Sequence, residues 1–330
     1  MLFILAGMMF LFGGCGNTLK YRYAEGQIYG TFYHISYASS TDLDDGAVER
    51  MESVNASLSM FNPKSVISAI NDGITDQTDS LFRKMFRTAV AVNRVTAGAF
   101  DISVAPLVNA WGFGYEKHEF PDSAEIDSLL CFVGMDKVRL EQNRLIKKYP
   151  GIQLDASSIA KGLGVDLVAD YLEEQGVENY MVEIGGELRV KGESEKKRPW
   201  RIGVDRPEEL SAGPRQLQMI VGLTSGAVAT SGNYRNFYVH EGRKIAHTIN
   251  PKTGFPVQTE VLSASVYAPS CMVADAYATA FMVSGLEEAK RIISGNQDLE
   301  GCLIYTEDGM IKTWISQGLE GMLISEGGGN

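Results

Sequence analysis

Residues 225–285 read SGAVATSGNYRNFYVHEGRKIAHTINPKTGFPVQTEVLSASVYAPSCMVADAYATAFMVSG. Two parts of this stretch look chemical rather than structural. His247-Thr248-Ile249-Asn250-Pro251-Lys252-Thr253-Gly254 is a polar turn closing a strand, and Asp275 and Thr279 stand four apart on an otherwise almost wholly apolar run. Ser270, after Pro269, suits an N-cap for that run, and Gly285 suits its stop. Between them Met272, Val273, Ala274, Ala276, Ala278, Ala280, Phe281, Met282 and Val283 cover every face. A helix apolar all round is a buried one. Positions i and i+4 share a face, so Asp275 and Thr279 aim their oxygens the same way. A buried carboxylate must find a cation, a donor or a proton. Spacing alone leaves two readings open. One is a hard metal ion held by oxygen ligands; the other is an Asp275 that caps a loop, beside a Thr279 bonded back to its own helix.

The chain of 330 residues is long enough for one large domain or two intimate lobes. A composition 45% hydrophobic and 22% charged is that of a globular protein. The net charge of −11 excludes the basic footprint that non-specific nucleic-acid binding needs. The run LFILAGMMFLF at residues 2–12 is too short to span a bilayer and suits a signal-peptide core. It ends in Gly13-Gly14-Cys15, and residues 11–15 resemble a bacterial lipobox, although no basic residue precedes the run and Phe12 stands where Leu is usual. The expected division is a signal peptide at 1–14, a tether at 15–26 lipidated on Cys15, one domain at 27–322 and a flexible tail at 323–330. The protein is then exported and held by lipid to a bacterial membrane, facing the periplasm; a generic cleaved signal with an incidental cysteine is the alternative. Cys131, Cys271 and Cys302 show no metal-ligand spacing, and the first and second read as small core residues.

Along the chain, aromatic and β-branched alternation predicts a strand over 27–37, and helical spacing predicts helices over 41–59 and 79–97, the second stopped by Gly98. The stretch 97–114, AGAFDISVAPLVNAWGFG, reads as a short strand after Asp101, broken by Pro106, then an aromatic turn. A helix from Ala124 to Leu130 and a hairpin about Glu141-Gln142-Asn143 follow. A strand is expected to end at Leu154-Asp155, followed by a polar turn and a helix whose start, near Lys161 and Gly162, could meet an anion. Residues 180–190 read as one strand with a bulge or bend at Gly185-Gly186, and 217–240 as a pair joined through Ala229-Thr230-Ser231-Gly232. A helix at 286–294 and a hairpin about Glu307-Asp308-Gly309 close the chain.

Eight blocks stand in order here: YGTFYHISY, LSMFNPKS, FDISVAPLVNAWGFG, LDASSIAKGLGVD, VEIGGELRVKG, ATSGNYRNFY, HTINPKTGFPV and APSCMVADAYATA. Together they resemble the bacterial FAD:protein FMN transferases, the ApbE-type flavin transferases, over about residues 27–320. The resemblance implies an α+β or α/β fold, largely antiparallel sheet with packed helices, in two intimate lobes with the FAD cleft between. It implies Mg²⁺-dependent cleavage of FAD, release of AMP, and transfer of FMN to a Thr or Ser hydroxyl of an acceptor flavoprotein, such as a respiratory-complex subunit. By resemblance, Asp275, Thr279 and the Ala160 carbonyl hold Mg²⁺, and His247 is the active-site histidine, a base or a phosphate contact. The FAD positions are Tyr29, Phe61, Val104, Ala105, Pro106, Ser157, Leu163 and Ile249. Three residues depart from the family pattern: Tyr29 stands where Met is usual, Phe61 where Tyr is common, and Ala278 where some members carry a second acid. Tyr29 would then stack on a flavin ring or partly fill the pocket. Two other activities fit the same blocks, an FAD pyrophosphatase releasing FMN and AMP, and a non-catalytic FAD-binding lipoprotein.

Overall fold

The computed structural model describes residues 19–114, 120–207, 217–233, 237–240 and 243–326. The apolar run at 2–12 and Cys15 lie outside the described residues. In order, the first half comprises β1 (Lys20–Ile28), β2 (Thr31–Ser39), α1 (Asp44–Leu58), α2 (Val66–Asn71), α3 (Ser80–Val95), α4 (Ala105–Ala110), α5 (Ser123–Leu130), β3 (Val138–Glu141), β4 (Arg144–Lys147) and α6 (Ala160–Glu174). Next come β5 (Tyr180–Ile184), β6 (Glu187–Lys191), β7 (Trp200–Asp205), β8 (Leu217–Leu223), β9 (Ser225–Gly232), β10 (Phe237–His240), β11 (Arg243–Ala246) and β12 (Val261–Ala268). The chain ends with α7 (Cys271–Ser284), α8 (Leu286–Ser294), β13 (Glu300–Glu307), β14 (Met310–Ile315), α9 (Gln317–Glu320) and β15 (Leu323–Glu326).

The frame is an 8-stranded sheet in the order β1-β2-β5-β6-β9-β12-β13-β14. Every neighbouring pair in it is antiparallel, so the architecture is α+β. One face carries the helices. Val165, Val168, Ala169 and Leu172 of α6 pack with Ile35, Tyr37, Tyr180 and Val182 of the sheet. Ala274, Ala278 and Phe281 of α7 pack with Ala229, Ala264 and Val266, and with Phe82, Met85 and Ala89 of α3. The opposite face carries a 3-stranded sheet, β15-β8-β7, whose Trp200, Ile202, Val204, Met219 and Val221 close over Leu188, Val190, Cys302 and Ile304. A smaller core, Leu107, Trp111, Ile126, Val133 and Ile249, ties α4 and α5 to the segment after His247. Among the described residues, no helix is long and apolar enough to cross a membrane.

Several expected elements take another form. The single strand over 27–37 is the middle of a hairpin, β1 to β2, turning at Tyr29-Gly30 with φ of 52° and 73°. Two successive positive φ values give the turn whose twist matches paired strands. Residues 20–26, expected in the tether, lie in β1 because all of them pair with β2. Gly185-Gly186, expected as a bulge or bend within one strand, is likewise a hairpin turn, between β5 and β6. Residues 217–240 are not a pair: β8 lies in the small sheet, β9 in the large one, and 229–232 is strand rather than turn. The piece after Asp101 is a 3-10 turn leading into α4, and Pro106 sits in that helix's first turn, where its missing N–H is no loss. No strand ends at Leu154. The Asn71 side-chain amide instead exchanges two hydrogen bonds with the Leu154 backbone, as a strand neighbour would. Residues 323–326, expected in a flexible tail, pair with β8. Cys131 is exposed, since it follows α5 on the side away from Ile126, whereas Cys271 and Cys302 are buried.

Candidate active site

The centre of the molecule is the crossing of α6 and α7. Gly162 makes it possible: a Cβ there would stand 2.5 Å from the Cys271 carbonyl oxygen and 2.7 Å from Met272 Cα. The two helices then cap each other. The N-cap residue of α6, Ile159, has no side chain to offer its free N–H groups. Asp275, on α7, supplies the acceptor: its Oδ2 takes the Gly162 N–H at 3.0 Å. In return Asp166, on α6, accepts the Cys271 and Met272 N–H groups at 2.9 Å each and the Ser270 hydroxyl at 2.7 Å. A carboxylate at a helix N-terminus also faces the positive end of the helix dipole. Arg189 holds Asp166 from the far side at 3.2 Å.

Asp275 is 2% exposed. Burial pushes its carboxyl above the usual range, opposed by Lys161 and by the Gly162 N–H. Lys161 lies between two carboxylates, with Nζ 2.9 Å from Glu187 Oε1 and 3.9 Å from Asp275 Oδ1. Burial favours the neutral amine, but the charges of Asp275 and Glu187 outweigh it and hold Lys161 above the usual lysine value. Glu187, the first residue after the Gly-Gly turn, is pushed up to about 7 by burial, against the pull of Lys161. Its Oε2 is buried and has no hydrogen-bond partner among the described residues. Thr279, one turn along α7, shares a 3.2 Å hydrogen bond with Ser231 of β9 rather than bonding back to its own helix.

That bond leads to the histidine segment. Two residues past Ser231, Asn233 Oδ1 accepts the Thr248 hydroxyl at 2.9 Å, fixing the residue next to His247. The segment after it is a closed loop: Gly254 N–H donates to the Asn250 carbonyl, Ile249 bridges Pro256, and the Trp111 indole N–H donates to the Gly254 carbonyl at 2.8 Å. His247 is half-buried, with its ring centroid 6.4 Å from that of Phe113. Strand β9 therefore joins the Asp275–Thr279 face of α7 to the His247 loop.

The other expected positions fall around these two anchors. The Asp155 N–H donates to the Ile102 carbonyl, which sets the 157 turn beside Val104, Ala105 and Pro106. Asp155 accepts the Ser157 N–H and hydroxyl on one oxygen, and burial raises its carboxyl against those two bonds. Ser157 is exposed, whereas Ala105 and Pro106 are buried. Ile249 is packed with Leu107 in the small core. Leu163 is fully buried in the main core, and its N–H donates to the Ile159 carbonyl. The Tyr29 hydroxyl donates to the Met51 carbonyl at 2.7 Å, and its ring fills the space that a side chain at Gly164 would need. Tyr29 is therefore a packing residue between α1 and α6. Phe61 is 68% exposed, between α1 and α2. A depression of about 430 Å³ near Asp101 and Lys252 has neither Asp275 nor His247 in its lining, and so is not this site.

Sequence reasoning missed Glu187, Asp166, Ser231 and Asn233. Asp166 had a signal, its i+4 spacing from Gly162 on a buried face. Glu187 had only its place beside a two-glycine turn. Among the described residues no three His, Cys, Asp or Glu side chains gather as a ligand cluster. One buried carboxylate and a hydroxyl a turn away, with the first turn of α6 at Ala160 alongside, are an oxygen donor set. It fits a hard ion that takes its remaining ligands from water and phosphates, as Mg²⁺ commonly does.

A family model described as the ApbE family matches residues 29–303. The FAD:protein FMN transferase of Haemophilus influenzae is 36% identical, over 93% of this chain and 93% of that protein. Its counterpart from Vibrio cholerae is 37% identical, over 91% of this chain and 92% of that protein. The solved flavin transferase ApbE from Vibrio cholerae superposes with a TM-score of 0.84 at 34% identity, covering 92% of this chain and all of that one. The apo flavinyl transferase ApbE of Pseudomonas stutzeri superposes with a TM-score of 0.81 at 28% identity, covering 94% and 98%. The chain belongs to the ApbE family.

Proposed function

We propose that this enzyme transfers FMN from FAD to a Thr or Ser hydroxyl of an acceptor flavoprotein, with AMP as the leaving group. The observation that carries the proposal is the buried Asp275, aligned with Thr279 and linked through β9 to the His247 loop. The acceptor oxygen bonds to the FMN phosphorus while the bond from that phosphorus to the bridging oxygen breaks. The bridging oxygen leaves with AMP, and the hydroxyl proton passes to His247, whose ordinary range suits proton transfer near neutrality.

Asp275, Thr279 and the Ala160 carbonyl would hold Mg²⁺, which would supply positive charge to offset that of the pyrophosphate. Asp275 keeps its geometry through the Gly162 N–H. Val104, Ala105, Pro106, Ser157, Leu163 and Ile249 border the dinucleotide, mostly through backbone and apolar contact, and Tyr29 supports the site from behind α6. Phe61, being exposed, is free to close on a ring. The acceptor meets the enzyme on the exported side of a membrane, to which Cys15 is tethered by lipid.

The test is to mix the protein with FAD, Mg²⁺ and an acceptor domain, and to look by mass spectrometry for an FMN adduct on Thr or Ser. Asp275→Ala, shown to be folded by circular dichroism, should lose the adduct. Free FMN and AMP with no labelled acceptor would make water the acceptor and overturn the transfer reading.

A further inference from the structure

The Lys161–Glu187 pair has no part in the chemistry above, yet it occupies the carboxylate meant for the metal. We infer that Lys161 is the site's resident counter-cation, which makes the divalent ion and the dinucleotide bind as a pair. This rests on the reading of Asp275 as a metal ligand.

Asp275 and Glu187 have side chains 3% and 6% exposed, whereas that of Lys161 is 28% exposed. Lys161 is thus the least buried of the three, and its ammonium stands at the end of a long side chain between two short, buried carboxylates. It sits 2.9 Å from one and 3.9 Å from the other, a full hydrogen bond to Glu187 and a looser charge contact to Asp275. With both carboxylates ionised, the two buried acids and one ammonium leave the pocket one negative charge in excess. A divalent ion added alone would reverse that sign and crowd two cations against Asp275. Added together with a pyrophosphate, which brings two negative charges, it restores the original balance. The phosphates also give the displaced ammonium a new partner, and the first turn of α6 places Lys161 where they would approach. Each ligand therefore raises the affinity for the other.

The test is a Mn²⁺ titration by calorimetry on the full chain, with Mn²⁺ alone and with FAD present. The native protein should bind Mn²⁺ at least tenfold more tightly with FAD than without. Lys161→Met should bind Mn²⁺ alone at least tenfold more tightly than the native protein, and the gain from FAD should shrink. Glu187→Gln leaves the ammonium on Asp275 alone and should weaken binding of Mn²⁺ alone. Lys161→Met binding Mn²⁺ alone no more tightly than the native protein would overturn the inference, as would a Glu187→Gln that binds it more tightly. If the native protein binds no Mn²⁺ even with FAD, the metal reading itself fails and this inference falls with it.

Discussion

Replacing Gly162 by Ala sets two effects against each other, and the structure says which wins. Within a helix, Ala is favoured over Gly by about 1 kcal/mol. Against this, the new methyl would stand 2.5 Å from the Cys271 carbonyl oxygen and 2.7 Å from both Cys271 C and Met272 Cα. These are backbone atoms at the start of α7, pinned by Asp166. They cannot turn aside as a side chain can, so α7 must move bodily. Overpacking of this kind costs about 1–3 kcal/mol, and a rigid backbone neighbour puts it at the upper end. The expected net loss is therefore about 1–2 kcal/mol, read as a lower urea midpoint at unchanged slope. Gly164→Ala is the matched control. Its methyl would meet the Tyr29 ring and hydroxyl at 2.8–2.9 Å, the far end of a side chain. Trimming Tyr29 to Leu should rescue Gly164→Ala and leave Gly162→Ala unrescued. A Gly162→Ala protein as stable as the native one would refute the claim that this glycine sets the helix crossing.

Three further outcomes are expected. Burial raises the folded pKa of Glu187 from 4.5 to about 7, and raises that of Asp275 in the same direction. Folding therefore favours the protonated acids; the stabilisation is full below the unfolded value and is lost as pH rises through the folded one. In metal-free buffer, stability should fall by up to ~3 kcal/mol between about pH 5 and 8, and Glu187→Gln should flatten that slope; a urea midpoint that rises with pH would refute this. Asn233→Ala removes the acceptor of the Thr248 hydroxyl and loosens the His247 loop. Flavin transfer should slow by about tenfold or more while stability changes by less than about 1 kcal/mol, measured by initial rates and urea titration. Burial holds the Cys271 and Cys302 thiols above their ordinary value, whereas Cys131 is exposed. With an aromatic disulfide reagent under native conditions, peptide mapping should find Cys131 labelled and the two buried thiols spared.

The helices at the site were legible because their signals are local. Ser270, the all-round apolar run and Gly285 delimit α7 as the structure has it, and the four-residue spacing of Asp275 and Thr279 puts both on one face. Turns set by unusual backbone were not legible. Tyr29 carries a φ of 52° with a bulky side chain, which no turn propensity favours, and the hairpin there read as one strand. The change of sheet after β8 was hidden for another reason. β8 alternates in burial and β9 buries Ala227, Val228 and Ala229 in a row, but that difference comes from their long-range partners, which short strands do not announce. Glu187 was invisible because a charged residue in an alternating strand reads as solvent-facing. Here Glu187 and Leu188 are both buried, because the strand starts under the α6 terminus.

The reciprocal caps explain how a charge survives in so apolar a helix. Asp275 is not an acid placed in the core and then compensated by a metal. Its Oδ2 already belongs to the fold as the cap of α6, a role that holds with or without an ion. Only Oδ1, facing Lys161, is left over, and on the proposed reading it is the oxygen that would exchange the ammonium for a metal ion. On that reading one carboxylate does two jobs through its two oxygens: one fixes the direction of the side chain, and the other would meet the ligand. The precision of the site then comes from the core, because Gly162, Asp166 and the crossing of α6 with α7 set where Oδ1 points. Substitutions at Gly162 should accordingly disturb metal affinity as well as stability, although no atom of that residue's side chain could ever touch the ion.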